Sequence, residues 1–109
     1  MPSLVITAHA HLEPSLAKAN VLEWLEELGM DVALGEAFHL VAFDGGDSGH
    51  LVAEVDFYSL DGGRATQVRW HLHARPDGDV PSEDLIREMR CLVEASPVWF
   101  IDAAPHAGS

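Results

Sequence analysis

Alternation of apolar and polar side chains predicts three long β-strands, at residues 4–12, 50–58 and 65–74. In each strand one set of alternate positions is apolar, and the other set carries most of the polar side chains. An apolar segment at 37–43 predicts a fourth strand, and 98–101 predicts a short last one. Because side chains two residues apart on a strand point to the same face, each long strand has one face for a core and one for solvent.

Two other segments have the apolar spacing of amphipathic helices. The first is predicted to begin at Ser15, as the N-cap, and to end at Gly29, because glycine suits the position after a helix C-terminus. The second covers residues 81–96 and is closed by Pro97. The apolar faces consist of Ala17, Val21, Trp24, Leu25 and Leu28 in the first helix, and Leu85, Ile86, Met89, Leu92 and Val93 in the second.

The predicted element order is therefore β-α-β-β-β-α-β. A His-x-His-x-x-Pro motif occurs twice, at residues 9–14 and 71–76, each time at the end of a strand and before a helix. Two such strand-helix-strand halves favour an α+β, ferredoxin-like split βαβ sandwich with one extra strand, in which both helices cover one face of a mainly antiparallel sheet. The chain is predicted to be a single domain over 1–109, with a flexible tail at 103–109.

The net charge and the single cysteine of the chain make several classes of function and site improbable. The 109 residues contain 6 Lys and Arg against 18 Asp and Glu, so the formal net charge is −12 at pH 7 with the histidines neutral. A surface this negative repels phosphate groups, so we expect neither nucleic acid nor a membrane surface as a partner. The single cysteine, Cys91, excludes an internal disulfide, and we expect it to be a packed thiol. No secretory signal is expected at Met1, which favours a cytoplasmic protein.

Four histidines lie on the polar faces of the first and last of the long strands. They are His9, His11, His71 and His73. In a ferredoxin-like fold the leading strands of the two halves are parallel central neighbours, about 4.8 Å apart. The matched positions of the two motifs would then bring the four imidazoles together on the sheet face away from the helices.

The middle long strand adds His50, Glu54 and Asp56 to its polar face. Imidazole and carboxylate groups form a common ligand set for divalent Zn, Fe, Mn or Ni, and the four histidines on the other two strands are the predicted ligands. Without a metal the same groups suit acid–base chemistry of an isomerase, cyclase or hydrolase type on a small organic ligand. The candidate catalytic residues are His71, His73, Glu54 and Asp56.

The same polar face allows other interpretations. An open sheet face is a common dimer interface, so we expect a homodimer, and one alternative is that the histidines only line the subunit interface. A strongly acidic small domain also suits an inhibitor, immunity or adaptor protein that binds a basic protein partner. The remaining alternative is a solvated surface with no binding role.

Two short resemblances add further hypotheses. Residues 69–76, RWHLHARP, resemble the signature strand of histidine triad nucleotide hydrolases, although Arg69 stands where that alternation has its first histidine. The resemblance implies that His71 and His73 are the motif positions. Pro2, directly after the initiator methionine in a chain that opens β-α-β, is similar to the tautomerase superfamily. That resemblance implies a proline amine that acts as a base once Met1 is removed.

Overall fold

The computed structural model describes residues 3–34, 38–44, 50–73 and 83–107. The elements in chain order are β1 (Ser3–Ala10), α1 (Pro14–Glu27), β2 (Met30–Leu34), β3 (His39–Asp44), β4 (Leu51–Leu60), β5 (Ala65–His73), α2 (Glu83–Ala95) and β6 (Trp99–Ala107). One 3₁₀ turn at Asp61–Gly63 joins β4 to β5. Predictions for residue 2, residues 35–37, residues 74–82 and residues 108–109 lie outside the described residues.

The six strands form one open sheet in the order β2-β3-β4-β5-β1-β6, and every pair of neighbours is antiparallel. Helix α1 packs on β2, β4 and β5, and α2 packs on β6. The predicted α+β class, with two helices on a mainly antiparallel sheet, is therefore confirmed. Neither helix of the described part of the chain is long and apolar enough to cross a membrane.

The strand order does not confirm the ferredoxin-like topology. Strands β1 and β5 are central neighbours, as expected, but they run antiparallel instead of parallel. The cause is β2 (Met30–Leu34), a short strand that is absent from the predicted elements. Each extra strand in a run of hairpin-connected strands reverses the direction of every strand after it, so one unrecognised strand turns β5 around.

The core lies between the helices and one face of the sheet. Paired positions on β1 and β5 alternate between the two faces, and Ile6 lies opposite Trp70 while Ala8 lies opposite Val68 on the covered face. All four are buried, as are the alternate residues of β4 and the centres of both helix stripes. The predicted core faces of the three long strands are confirmed. We call the other face of the sheet the open face.

The tryptophans belong to the core. Trp70 is almost fully buried in the centre of the sheet, and Trp24 packs edge-on against Trp99, with ring centroids 4.8 Å apart. The indole Nε1 of Trp99 donates a hydrogen bond of 3.0 Å to Asn20 on α1. That hydrogen bond satisfies the one polar atom of a large buried ring and ties β6 to the first helix.

Several element ends differ from the predictions. Helix α1 has Glu13 rather than Ser15 as its N-cap, and Pro14 fills the first helical position, where a missing N–H costs nothing. Gly29 follows the C-cap with φ +79°, which confirms its predicted role. Strand β6 runs to Ala107, beyond the predicted end of the last strand at residue 101, and Ala103, His106 and Ala107 pair with β1. Cys91 is exposed, so the prediction of a packed thiol is wrong.

Candidate functional site

The open face carries a group of five polar side chains on three adjacent strands, β3, β4 and β5. This His–carboxylate cluster consists of His39, Glu54, Asp56, His71 and His73. Its position follows from strand geometry, because its members alternate with residues of the buried face. Across the sheet, His39 lies opposite Asp56, and Glu54 lies opposite His71.

Two hydrogen bonds hold the cluster together. Nδ1 of His39 donates to Oδ1 of Asp56 over 2.6 Å, and Nε2 of His73 donates to Oε2 of Glu54 over 2.9 Å. The donor is the imidazole in each case, since an ionised carboxylate can only accept. These bonds leave Nε2 of His39 and Nδ1 of His73 on the far sides of the rings.

Two longer contacts join the hydrogen-bonded pairs into one series. Nε2 of His39 lies 3.8 Å from Oε1 of Glu54, and Nε2 of His71 lies 3.9 Å from Oδ2 of Asp56. Histidine and carboxylate therefore alternate from His71 through Asp56, His39 and Glu54 to His73. Both longer distances exceed a hydrogen bond, so His71 is the most loosely held member.

The cluster is partly covered and partly open. Its side chains are between 29% and 38% exposed, so a solute can reach every one of them. The apolar side chain of Val5 lies on β1 opposite His71 and is only 9% exposed, and half-buried Val41 lies opposite Glu54. These apolar side chains on either side of the cluster exclude some water and so strengthen the hydrogen bonds and ion pairs of the cluster.

A cation stands at one end of the cluster. Arg69 lies opposite Asp56 on the neighbouring strand, and its guanidinium carbon is 5.3 Å from the centre of the Tyr58 ring. The contact has the geometry of a cation–π interaction, which holds the arginine along the open face.

The other two predicted site histidines lie elsewhere on the open face. His9 lies opposite Gln67 on β5, whereas His71 lies opposite Val5. Four residues of strand separate the two positions, which corresponds to about 13 Å. The prediction that His9 and His11 meet His71 and His73 is therefore wrong: both motifs stand at the C-terminal ends of their strands, and antiparallel pairing places those two ends at opposite sides of the sheet.

Near β6, His9 and His11 have neighbours of their own. Nδ1 of His9 donates to Oδ1 of Asp102, and the ring of His9 is stacked on Phe100 with centroids 5.2 Å apart. The rings of His9 and His11 have centroids 5.4 Å apart, and His11 meets Phe100 edge-on at 5.3 Å. We call this arrangement the β1–β6 histidine pair.

One member of the cluster, His39, is not among the predicted site residues, and one residue of the predicted polar face, His50, lies apart from the cluster. His39 was assigned to a strand but to no site, because its partner Asp56 becomes its neighbour only through the pairing of β3 with β4. His50 is exposed directly before β4 and has no place in the cluster. The sequence between β3 and β4 is rich in glycine, which is typical of a hairpin connection, and pairing the two predicted strands as a hairpin would have pointed to His39.

The predicted set of four histidine ligands is thus not assembled. Within residues 3–34, 38–44, 50–73 and 83–107, no group of three or more His, Cys, Asp or Glu side chains is arranged to hold a metal ion. In the His–carboxylate cluster the imidazole and carboxylate groups are directed at one another.

Known proteins do not supply a function. No protein-family model, no curated protein and no solved structure matches the chain. The resemblances to histidine triad hydrolases and to tautomerases therefore remain short motifs, and Pro2 and residues 74–76 lie outside the described residues. The function has to be argued from the geometry of the open face.

Proposed function

We propose that the His–carboxylate cluster binds a small organic molecule and exchanges protons with it. The observation that carries this proposal is the alternation of three imidazoles with two carboxylates across three strands, on a face that solvent can reach. Imidazole is the side chain that gives and takes protons near neutral pH. A carboxylate that accepts from one ring nitrogen orients the ring and leaves the other nitrogen for a ligand.

The roles within the cluster follow from its hydrogen bonds. His73, oriented by Glu54, and His39, oriented by Asp56, are the two acid–base groups with fixed rings. His71 has no hydrogen bond to the carboxylate it faces, so it is the member that can turn toward a ligand. This assignment keeps the predicted roles of His71, His73, Glu54 and Asp56 and adds His39.

The charge of the protein restricts the ligand. A formal net charge of −12 produces a negative potential around the whole molecule, and the cluster itself contains two carboxylates. A neutral or cationic molecule with hydrogen-bond donors is therefore favoured over an anion. Nucleoside phosphates, the substrates implied by the histidine triad resemblance, are disfavoured by the same argument.

Imidazole NMR signals provide the test. The protein is titrated with a panel of neutral, cationic and anionic small molecules of similar size, while the ring C–H resonances of every histidine are followed. We expect at least one neutral or cationic molecule to shift the signals of His39, His71 and His73 together. The exposed His50 is the internal reference and should not move.

A double variant, Glu54→Gln with Asp56→Asn, is the control. It keeps the shape of both side chains, removes the two charges and leaves the buried face of β4 unchanged. Circular dichroism and backbone amide spectra establish that the variant is folded. The proposal fails if no molecule of the panel shifts the cluster signals, or if the double variant responds as the wild type does.

A second candidate function is protein binding through the same face. Tyr58 and Phe100 stand on the open face with 44% and 46% of their surface exposed, and aromatic side chains are enriched in protein interfaces. We propose a second copy of the chain as the partner. Light scattering should then give twice 11.8 kDa for the wild type and 11.8 kDa for a Tyr58→Ser/Phe100→Ser variant. A wild type that stays at 11.8 kDa at millimolar concentration rules out the homodimer.

A further inference from the structure

The β1–β6 histidine pair is a separate feature of the open face, and the proposed binding of a small organic molecule does not use it. It lies at the far end of β1 from the His–carboxylate cluster, about 13 Å away along the strand direction. Its members come from different elements: His9 and His11 from β1 and the residue stretch after it, and Phe100 and Asp102 from β6.

The backbone holds both histidines in place. His9 is paired with Phe100 in the β1–β6 ladder, and the N–H of His11 donates a 2.9 Å hydrogen bond to the carbonyl oxygen of Val98. His9 is a residue of β1 and His11 stands in the bend directly after it, and their ring centroids are 5.4 Å apart. A ligand shared between the rings would therefore need little reorganisation of the main chain.

Asp102 determines which nitrogen of His9 is available. Because the carboxylate accepts from Nδ1, the proton of a neutral ring sits on Nδ1 and the lone pair sits on Nε2. Histidines that bind metals usually donate their other ring N–H to a carboxylate or carbonyl group in this way, which fixes the ring and raises its basicity.

The distance between the rings suits a shared ion. With metal–nitrogen bonds of about 2.1 Å, two imidazoles that bind one ion at a roughly tetrahedral angle have ring centres about 5 Å apart. The centroids of His9 and His11 are 5.4 Å apart, with the ring planes tilted by 41°. His11 is exposed, and its side chain would have to rotate for one of its ring nitrogens to point at the same place as Nε2 of His9.

We propose that His9 and His11 bind one late first-row divalent metal ion, with Asp102 as the positioning residue of His9. Imidazole ligands suit Zn²⁺, Ni²⁺ and Cu²⁺, and the negative field of the protein attracts any of them. Two protein ligands leave the remaining coordination positions to water or to a small molecule.

Copper(II) is the probe, since it has the highest affinity of these ions for imidazole and broadens NMR signals of nearby nuclei. At substoichiometric copper in a non-coordinating buffer, the ring signals of His9 and His11 should broaden first, before those of His39, His71, His73 and His50. Isothermal titration should then give one tight site per chain. Copper that broadens the His–carboxylate cluster or His50 first contradicts the proposal.

Variants separate metal binding from aromatic packing. His9→Gln and His11→Gln should each weaken copper binding at least tenfold, whereas His50→Gln should leave it unchanged. Asp102→Asn should weaken it about tenfold, the loss typical when a partner of a metal-binding histidine is removed. Phe100→Leu is the matched control for packing, and its copper affinity should stay within twofold of the wild type.

The outcome does not depend on the proposed function. A triple variant His39→Gln/His71→Gln/His73→Gln removes the cluster imidazoles and should keep the tight copper site. If His9→Gln and His11→Gln bind copper as the wild type does, the pair is only an aromatic contact and the proposal is overturned. If the triple variant alone loses the tight site, copper binds the cluster, and the proposal is equally overturned.

Discussion

Replacing Asp56 by alanine removes the carboxylate that faces two histidines at different distances. Nδ1 of His39 is 2.6 Å from Oδ1, within a hydrogen bond, whereas Nε2 of His71 is 3.9 Å from Oδ2 and outside one. The two pairs share one carboxylate and have similar exposure. A difference in their coupling energies with Asp56 therefore reports on the hydrogen bond itself.

The structure sets the expected magnitudes. Hydrogen bonds to charged groups contribute about 1.5–3 kcal/mol when well formed and buried, and exposed ion pairs contribute about 0.2–1 kcal/mol. His39 and Asp56 are 29% and 32% exposed, between these limits, so we expect a coupling of about 1–1.5 kcal/mol. For His71 and Asp56 we expect less than about 0.5 kcal/mol, because only screened attraction remains.

Two double-mutant cycles measure these energies. One combines Asp56→Ala with His39→Ala and the other combines Asp56→Ala with His71→Ala, and each free energy of unfolding comes from urea titration at pH 6. The urea m-value of a chain this size is about 1–3 kcal/mol/M, so a coupling of 1 kcal/mol shifts the midpoint by roughly 0.3–1 M. Molar salt should abolish the smaller coupling and leave part of the larger one. Equal couplings for the two histidines, or less than about 0.3 kcal/mol for His39, would refute the arrangement of the cluster.

Two further predictions concern positions that support the sheet. Thr66→Val should lower the free energy of unfolding by about 1–2 kcal/mol in urea titration, because the fully buried hydroxyl donates a 2.9 Å hydrogen bond to the carbonyl oxygen of Leu12. A Thr66→Ser variant that restores much of the loss would assign the effect to that hydrogen bond. Gly29→Ala should lower the free energy of unfolding by about 1 kcal/mol and the melting temperature with it, because φ at this position is +79°, although a new Cβ would meet no atom within 4 Å. Gly29→Asn should cost less, and an alanine variant as stable as the wild type would contradict the left-handed conformation after the C-terminus of α1.

Local patterns in the sequence were sufficient to predict which side chains of each long strand lie on the open face and which lie on the buried face. The alternation in β4 and β5 places Glu54, Asp56, His71 and His73 on the open face, and the structure has them there. A side chain on a strand has only two faces to choose from, so seven or eight alternating residues determine the choice. The apolar stripes of both helices were predictable for the same reason, at the helical period.

The order and direction of the strands in the sheet could not be predicted from these local patterns. Residues 30–34 alternate in the same way as the longer strands, but five residues at the edge of a sheet, with Asp31 and Ala33 exposed, give a weak signal beside the helix that precedes them. Missing that one strand inverted β5 in the predicted topology. The His-x-His-x-x-Pro repeat then suggested a meeting of four imidazoles that antiparallel pairing forbids.

The contacts of His39 show a second limit of local patterns. A lone histidine in an apolar strand gives no chemical signal, because its meaning depends on the residue opposite it on the next strand. The β3–β4 register places Asp56 there, and His39 then becomes the centre of the series of alternating groups. A cluster that extends across a sheet can be predicted only from which strands pair and in what register, whereas a cluster along one strand can be predicted from the spacing of its residues in the sequence.

Three histidines of the open face, His9, His39 and His73, each donate to a carboxylate of another strand. Partly exposed pairs of this kind contribute at most about 1–1.5 kcal/mol each, so stabilisation alone does not explain why the pairing recurs. A carboxylate-bound imidazole has a fixed ring and one defined free nitrogen, and that property matters for a bound ion or a transferred proton. The antiparallel register separates these pairs into two places, so the same arrangement occurs both at the metal site proposed for His9 and His11 and at the cluster proposed to exchange protons on β3 to β5.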